Sequence, residues 1–155
     1  RYAGSVAARG IRAVGEAVQV AVSANGGVLD RGGAAALRSA SGCGRIMVAR
    51  GAIGNPWIFR ELLRDPPGGP PSHAELCEEM ERHVMGMVAL YGEAVGLPQA
   101  RKIILAYLKG RGYRRSLRET VTHVSTVADF RQLLTTVRGE GPTPGYQGAE
   151  TKGRS

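Results

Sequence analysis

Two short glycine-rich turns carry the residues best suited to hold a ligand. Residues 25–27 (Asn-Gly-Gly) follow one short apolar run, and residues 49–51 (Ala-Arg-Gly) follow the next. Because glycine has no Cβ, an anion can approach the backbone N–H groups of such a turn closely. Asn-Gly is equally typical of an ordinary turn, since both residues tolerate a positive φ. The two turns alone therefore fit both a phosphate-binding site and plain βα turns.

A cluster of basic residues in the last third of the chain could bind a polyanion. Its seven members lie within eighteen residues of one another: Arg101, Lys102, Lys109, Arg111, Arg114, Arg115 and Arg118. Tyr107 and Tyr113 lie among them, and such a mixture is typical of surfaces that contact phosphates and stack on exposed bases. A solvated helix face would have a similar composition. The cluster alone favours neither interpretation.

The composition of the whole chain limits the possible classes of protein. The 155 residues carry a net charge of +8 with a pI of about 10.2, which makes a polyanion a reasonable partner. Residues 98–138 hold nine basic and two acidic side chains, whereas residues 72–97 hold one and five. Apolar residues make up 43% of the chain, enough for a packed core, and no apolar run approaches the roughly 18 residues of a membrane helix. We therefore expect neither a wholly disordered chain nor a membrane protein.

Cysteine and histidine residues show no pattern of metal ligands. Cys43 and Cys77 are thirty-four residues apart and neither belongs to a C-x-x-C motif. The three histidines, at positions 73, 83 and 123, do not have the spacing of an H-E-x-x-H site either. We expect no metal site and no disulfide, structural or surface roles for the histidines, buried inert thiols, and a reducing cytoplasm.

The first part of the chain has the rhythm of β/α units. Short strands are predicted at residues 18–24 and 46–48, and Asp30 is placed to cap a helix that runs to about residue 40. A further helix, to about residue 63, is predicted with Asn55 as its cap and Pro56 at its first position. Alternating strands and helices of this kind predict a parallel sheet.

A change of composition divides the chain. Residues 65–71 hold four prolines and two glycines, so they can neither continue a helix nor pair in a sheet. We expect residues 1–64 to form one domain, residues 65–71 a linker and residues 72–138 a helical bundle. Residues 139–155 are rich in glycine and lack large aliphatic side chains, which predicts a disordered tail.

Helical periodicity dominates the second domain. Ser72 and Glu75 form a capping-box pattern at the start of a long amphipathic helix that should end near residue 95. Pro98 is expected to start the next helix, in which Ile103, Ile104, Tyr107 and Leu108 are available for a core. Two more helices are predicted at about residues 116–124 and 127–137.

The stretch Gly42-Cys43 followed by residues 46–59 (IMVARGAIGNPWIF) resembles the end of the barrel domain in tRNA-dihydrouridine synthases. The resemblance extends back through the turn at Asn25 to the segment Arg1-Tyr2-Ala3-Gly4. It extends forward through residues in the order and approximate spacing of the helical domain of that family: His83, Tyr91-Gly92-Glu93, Arg101-Lys102, Tyr107-Leu108-Lys109-Gly110 and Arg118.

This resemblance implies an α/β plus all-α fold, the C-terminal part of a (β/α)8 TIM barrel followed by a small helical bundle. It implies a flavoprotein in which FMN, reduced by NADPH, reduces a uridine in tRNA. The residues implied to hold FMN are Asn25, Gly26, Gly27, Ala49, Arg50 and Gly51. The seven basic residues of the cluster are implied to bind tRNA. Trp57 and Phe59 are expected in the core that joins barrel and bundle.

The family's general acid, a cysteine in its first half, matches no residue of this chain, and Gly27 stands where an acidic residue is usual. A barrel needs eight strands and at least about 200 residues, whereas two or three strands precede residue 66. We therefore expect a C-terminal half that is inactive without the missing N-terminal half.

Two alternatives stay open at the level of the sequence. One is another FMN- or phosphate-binding barrel oxidoreductase, which would share the glycine turns but not an RNA-binding domain. The other is a non-enzymatic RNA-binding helical module.

Overall fold

A computed structural model describes residues 7–64 and 68–143, which fall into two compact units, Arg1–Pro70 and Pro71–Ser155. The described residues are mostly helical and contain one small parallel sheet of two strands. The resemblance at residues 1–4, residues 65–67 of the predicted linker and residues 144–155 of the predicted tail lie outside the described residues. Residues 139 and 140, also assigned to that tail, are helical instead.

The first unit combines short strands with helices. Its elements in chain order are α1 (Ala8–Ala17), β1 (Ser23–Asn25), α2 (Arg31–Ser41), β2 (Arg45–Met47), a 3-10 turn (Arg50–Ala52) and α3 (Ile58–Leu63). The predicted cap of α2 is confirmed, because Asp30 Oδ1 accepts a hydrogen bond of 2.7 Å from the N–H of Gly33. The helix ends at Gly42, whose φ of 71° is the left-handed conformation that favours glycine.

The predicted parallel sheet is confirmed for β1 and β2. Ser23 pairs with Arg45, and Asn25 pairs with Met47. The intervening Ala24 is buried in a small core with Val28, Leu37 and Cys43, against which Ile46 and Val48 pack. Because side chains alternate along a strand, the opposite face of both strands is exposed.

Two element boundaries in the first unit differ from the predictions. The strand predicted at residues 18–24 begins only at Ser23, and Val20 is 72% exposed, so its β-branched side chain has no described partner to pack on. The helix predicted from Pro56 begins at Ile58, and Asn55 is not its cap. The Ile58 N–H donates to the Asn55 carbonyl, so residues 55–58 form a tight turn before the helix.

The second unit consists of four helices, α4 (His73–Tyr91), α5 (Glu93–Leu108), α6 (Arg115–Val121) and α7 (Val127–Glu140). The predicted capping box of α4 is confirmed, with Glu75 N–H donating to Ser72 Oγ at 3.2 Å and Ser72 N–H donating to Glu75 Oε2 at 2.8 Å. Each bond satisfies a backbone N–H that has no partner within the helix.

The boundary between α4 and α5 differs from its prediction. The long helix ends at Tyr91 because Gly92, with a φ of 75°, turns the chain. Helix α5 begins at once, so Pro98 lies inside it and does not start it. Proline is most readily accommodated at a helix start, but here the turn before it packs on α4, where Gly96 lies close to Met87 and Val88.

Apolar side chains from all four helices form the core of the second unit. The largest of those that are almost fully buried are Tyr107, Phe130, Met80, Leu97, Ile104, Leu108, Leu134, Val84, Val121, Val124 and Val137. Burying a side chain of this size contributes about 1.5–3 kcal/mol relative to leaving it exposed. No helix in the described part of the chain is long and apolar enough to span a membrane.

The carboxylate of Asp129 at the N-terminus of α7 should make the stability of the second unit depend on pH. Asp129 Oδ2 accepts hydrogen bonds from the Ser125 and Thr126 N–H groups, both at 2.9 Å, and these bonds lower the pKa of Asp129 to about 2. Because the folded pKa lies below the usual 3.8, the stabilisation is fully present above about pH 4 and is lost as the pH falls through about 2. Asp129→Asn should therefore lower stability at pH 6 and make progressively less difference towards pH 2.

Urea unfolding followed by helical circular dichroism at pH 6, 4, 3 and 2 measures this difference. Glu78→Gln is the control, because it removes an exposed carboxylate elsewhere in the same unit. A difference in unfolding free energy between wild type and Asp129→Asn that stays constant down to pH 2 would contradict the prediction.

Candidate functional site

The two glycine-rich turns lie at the same edge of the sheet. Asn25, the last residue of β1, pairs with Met47, the last residue of β2, and the strands run parallel. Neighbouring strands lie about 4.8 Å apart, so the segments that follow them start side by side. The carboxyl edge of parallel strands is where α/β proteins bind their ligands.

Gly51 shows that the second turn contacts the chain just after the first turn, at Val28 and Leu29. This glycine is buried, and a Cβ built on it would overlap the carbonyl oxygen of Val28 and come within 2.9 Å of Ile58 Cδ1. The missing side chain at this position lets the 3-10 turn close onto the loop after β1. Gly51 therefore brings the turns together, a role distinct from the close approach to an anion suggested by the sequence.

Gly27 has the opposite surroundings. It is exposed, its φ is 65°, and no atom lies within 4 Å of a Cβ built on it. Within residues 7–64, the N–H groups of Gly27, Ala49 and Arg50 donate to no protein acceptor. The Arg50 side chain is also exposed at this edge. Several unpaired N–H groups beside a guanidinium can receive an anion.

The N-terminus of α2 is occupied by carboxylates. Asp30 Oδ1 accepts from the Gly33 N–H, and Glu61 Oε1 accepts from the Arg31 N–H at 3.4 Å. A negatively charged ligand would be repelled there, so the turns and not this helix end offer the anion site. The role of Glu61 was missed because a contact across thirty residues leaves no signal in the sequence.

The seven basic residues of the second unit separate into two groups by exposure. Four are exposed, namely Lys102, Lys109, Arg114 and Arg115. Three are half-buried, namely Arg101, Arg111 and Arg118.

Arg101 and Arg111 have partners inside the protein. Arg101 Nε donates to the Val124 carbonyl at 2.7 Å, and Arg111 Nη1 donates to the Tyr107 carbonyl at 2.8 Å. Burial lowers the pKa of Arg111. Both guanidinium groups therefore stabilise the bundle.

The interpretation of the tyrosines as stacking platforms is wrong. Tyr107 is 1% exposed and Tyr113 is 7% exposed, so neither ring can stack on a base. Burial raises the pKa of each to about 12. Their hydroxyls hydrogen-bond to His83 Nδ1 at 3.3 Å and His73 Nδ1 at 2.8 Å, which fixes them in the bundle. The core position that helical spacing also predicted for Tyr107 is confirmed, whereas Tyr113 lies in the loop between α5 and α6, where no periodicity indicates burial.

The histidines and cysteines behave as structural or surface residues. His73 Nε2 also lies 3.2 Å from the Arg138 carbonyl, so its ring joins the start of α4 to the end of α7. Cys77 is buried beside it, and burial raises the pKa of its thiol. Cys43 is buried in the first unit and His123 is exposed. Across residues 7–64 and 68–143, no group of three or more such side chains could hold a metal ion.

The prediction for Phe59 is wrong. Its side chain is 46% exposed and lies beside Leu62 and Leu63 along an open groove of about 500 Å³. Trp57 is half-buried. Helix α3 presents part of its apolar surface to solvent, which amphipathic spacing alone could not predict.

Comparison with known proteins supports the resemblance noted in the sequence. A sequence model of the dihydrouridine synthase family matches residues 1–139. The chain belongs to the dihydrouridine synthase family. The match covers both glycine-rich turns and all seven members of the basic cluster, so the predicted family is confirmed.

Named relatives agree with this assignment. The chain is 33% identical over 129 residues to a probable tRNA-dihydrouridine synthase of Mycobacterium tuberculosis, covering 81% of the chain and 33% of the relative. It is 32% identical over 155 residues to tRNA-dihydrouridine synthase B of Pseudomonas putida, covering 90% and 46%. For a probable tRNA-dihydrouridine synthase of Rickettsia prowazekii, the identity is 34% over 126 residues, covering 77% and 38%. The chain thus spans a third to a half of the length of these dihydrouridine synthases.

Proposed function

We propose that this chain is part of a flavin-dependent tRNA-dihydrouridine synthase, which reduces uridine in tRNA to 5,6-dihydrouridine. The observation that carries the proposal is the pair of neighbouring turns at the carboxyl edge of two parallel strands in a member of this family. A location in the reducing cytoplasm belongs to the same proposal, because both cysteines are free thiols.

The first unit binds the phosphate of FMN in this proposal. The N–H groups of Gly27, Ala49 and Arg50 point to no protein acceptor, and the Arg50 guanidinium adds a positive charge beside them. Asn25 and Gly26 shape the first turn, and the latter has a φ of 148°. When bound, FMN reduced by NADPH supplies the hydride for the uracil ring. The residues of this chain anchor and orient the cofactor through its phosphate.

The second unit supplies cationic contacts to tRNA. Lys102, Lys109, Arg114 and Arg115 are exposed, and their charges can replace counterions on the phosphate backbone. Contacts of this kind give affinity without base specificity. They would hold the tRNA while a single uridine is presented to the flavin.

The proposal assigns no general acid to this chain. Cys43 and Cys77 are buried, so neither thiol can reach a uracil ring. The two described strands cannot close a barrel, and their exposed face needs further strands to cover it. We expect the chain alone to anchor flavin weakly and to form no dihydrouridine, and we expect turnover only with the remaining strands.

Phosphate recognition can be tested by comparing FMN with riboflavin, which lacks the phosphate. The 155-residue chain should bind FMN weakly but more tightly than riboflavin in a fluorescence-anisotropy titration. Arg50→Gln should reduce the ratio of the riboflavin and FMN dissociation constants about tenfold, since one charge-assisted hydrogen bond contributes roughly 1.5 kcal/mol.

The control is Arg45→Gln, which makes the same change of charge at the opposite end of β2 and should leave the preference intact. Equal binding of FMN and riboflavin by the wild-type chain would contradict the phosphate site. A phosphate preference without any tRNA binding would support the flavin anchor and contradict the RNA-binding role proposed for the second unit.

Binding of tRNA can be tested through its dependence on salt. Lys109→Gln should weaken binding and reduce the slope of log K against log salt by about one, because one phosphate contact is lost. Arg9→Gln removes an exposed charge from the first unit and should leave the slope unchanged. An equal slope for wild type and Lys109→Gln would show that Lys109 does not contact a phosphate of the tRNA. Tight tRNA binding with no flavin binding would instead favour an RNA-binding module.

A further inference from the structure

Helix α6 lies between two contacts made by arginines of the basic cluster. Before it, Arg111 donates to the carbonyl of Tyr107 in the last turn of α5. After it, Arg101 donates to the carbonyl of Val124. Both arginines are half-buried. An arginine side chain therefore makes a hydrogen bond to a backbone carbonyl on each side of α6.

These contacts matter because α6 is short. It has seven residues, Arg115–Val121, and a helix of this length has little stability of its own. Val124 is buried, and its N–H donates to the Val121 carbonyl at 3.3 Å in the turn that ends α6. A cation at the carboxyl end of a helix is favourable, and a charged donor makes a strong hydrogen bond to a carbonyl. Besides the buried Leu117 and Val121 of α6 itself, the contacts of Arg101 and Arg111 therefore tie the chain on either side of this helix to the bundle.

The arginines at the start of α6 have different surroundings. The side chain of Arg114 is 71% exposed and that of Arg115 is 86% exposed. Their partners are Glu140 at 3.9 Å and Glu119 at 3.0 Å. Exposed ion pairs of this kind contribute little, so a phosphate group can replace either carboxylate.

We propose that Arg101 and Arg111 are positioning residues for RNA binding, which hold α6 so that Arg114 and Arg115 are presented to the phosphates of tRNA. In this proposal their role is structural, because both side chains are half-buried and each donates to a carbonyl inside the bundle. This inference rests on the tRNA binding proposed above and divides the basic cluster into contact residues and residues that support them.

The experiment compares two substitutions that keep the charge. Arg101→Lys retains the positive charge but lacks the Nε donor, so amide hydrogen exchange across residues 115–125 of the free protein should rise and tRNA affinity should fall about tenfold. Arg115→Lys keeps an exposed charge and should leave exchange unchanged, with an affinity within about threefold of wild type. Circular dichroism confirms that each variant folds, and Arg111→Lys replaces Arg101→Lys if the latter does not.

Unchanged exchange across residues 115–125 in Arg101→Lys would overturn the positioning role. A loss of about one unit of salt slope in Arg101→Gln without faster exchange would also overturn it, because it would indicate direct phosphate contact. If the wild-type chain does not bind tRNA, the proposed RNA binding fails. The exchange data then still decide, in the free protein, whether Arg101 and Arg111 hold α6.

Discussion

Gly51→Ala should destabilise the first unit by about 1–3 kcal/mol, as expected when a methyl group is forced into a filled space. The new Cβ would overlap the Val28 carbonyl oxygen and come within 2.9 Å of Ile58 Cδ1. The carbonyl belongs to the backbone, so the 3-10 turn has to move away from the loop after β1. Urea unfolding followed by fluorescence of Trp57, the only tryptophan in the sequence, measures the effect.

Gly44→Ala is the matched control for Gly51→Ala. Gly44 lies just before β2, no atom lies within 4 Å of an added Cβ, and its φ is not positive. Its replacement should change the stability by less than about 0.5 kcal/mol. If both variants unfold at the wild-type urea concentration, the two turns are not held together through Gly51.

The Gly51 variant also tests the proposed flavin anchor. In the proposed anchor the N–H groups of Gly27 and Arg50 bind the same phosphate, which a separation of the turns would prevent. The preference for FMN over riboflavin should fall in Gly51→Ala and persist in Gly44→Ala. Loss of stability with an unchanged preference would show that contact between the turns is not needed for phosphate binding.

Two glycines of the second unit should respond to the same substitution with opposite signs. A Cβ at Gly96 would lie 2.9 Å from the Met87 carbonyl oxygen and 3.1 Å from Val88 Cα, where α5 crosses α4. Gly96→Ala should therefore destabilise the unit by about 1–3 kcal/mol. Gly86, within α4, is exposed with no atom near an added Cβ, and Gly86→Ala should stabilise the unit by about 0.5–1 kcal/mol.

Thermal unfolding followed by circular dichroism at 222 nm measures both changes, and each variant is the control for the other. The two substitutions are expected to change the stability in opposite directions because α5 approaches α4 closely at Gly96, whereas the space around Gly86 is open. Stabilisation by both substitutions would mean that α5 does not approach α4 closely at Gly96.

Local signals in the sequence predicted several structural features correctly. Asp30 caps α2, Ser72 and Glu75 form a capping box, and the parallel pairing of β1 and β2 follows the alternation of strand and helix. Each of these depends on residues a few positions apart or on a repeating pattern. The break at Gly92 and the late start of α3 were missed because several turns were compatible with the same residues.

The candidate site was predicted only in outline. The residue types of both turns could be read from the sequence, but the contact between Gly51 and the Val28 carbonyl and the carboxylates at the start of α2 could not. In the basic cluster, exposure separates Arg115 from Arg101 although both have the same side chain. This distinction decides which arginine is available to a phosphate.

The sequence by itself determined the family, most of the helical segments other than α1, and the positions of the glycine turns and cationic residues. These features depend on composition, periodicity and short motifs, which are properties of neighbouring residues. Only the tertiary structure decided that Gly51 contacts the Val28 carbonyl, that Tyr113 is buried, and that Arg101 and Arg111 donate to carbonyls inside the bundle. The physical reason is that burial and hydrogen bonding at these residues depend on the packing of segments far apart in the chain.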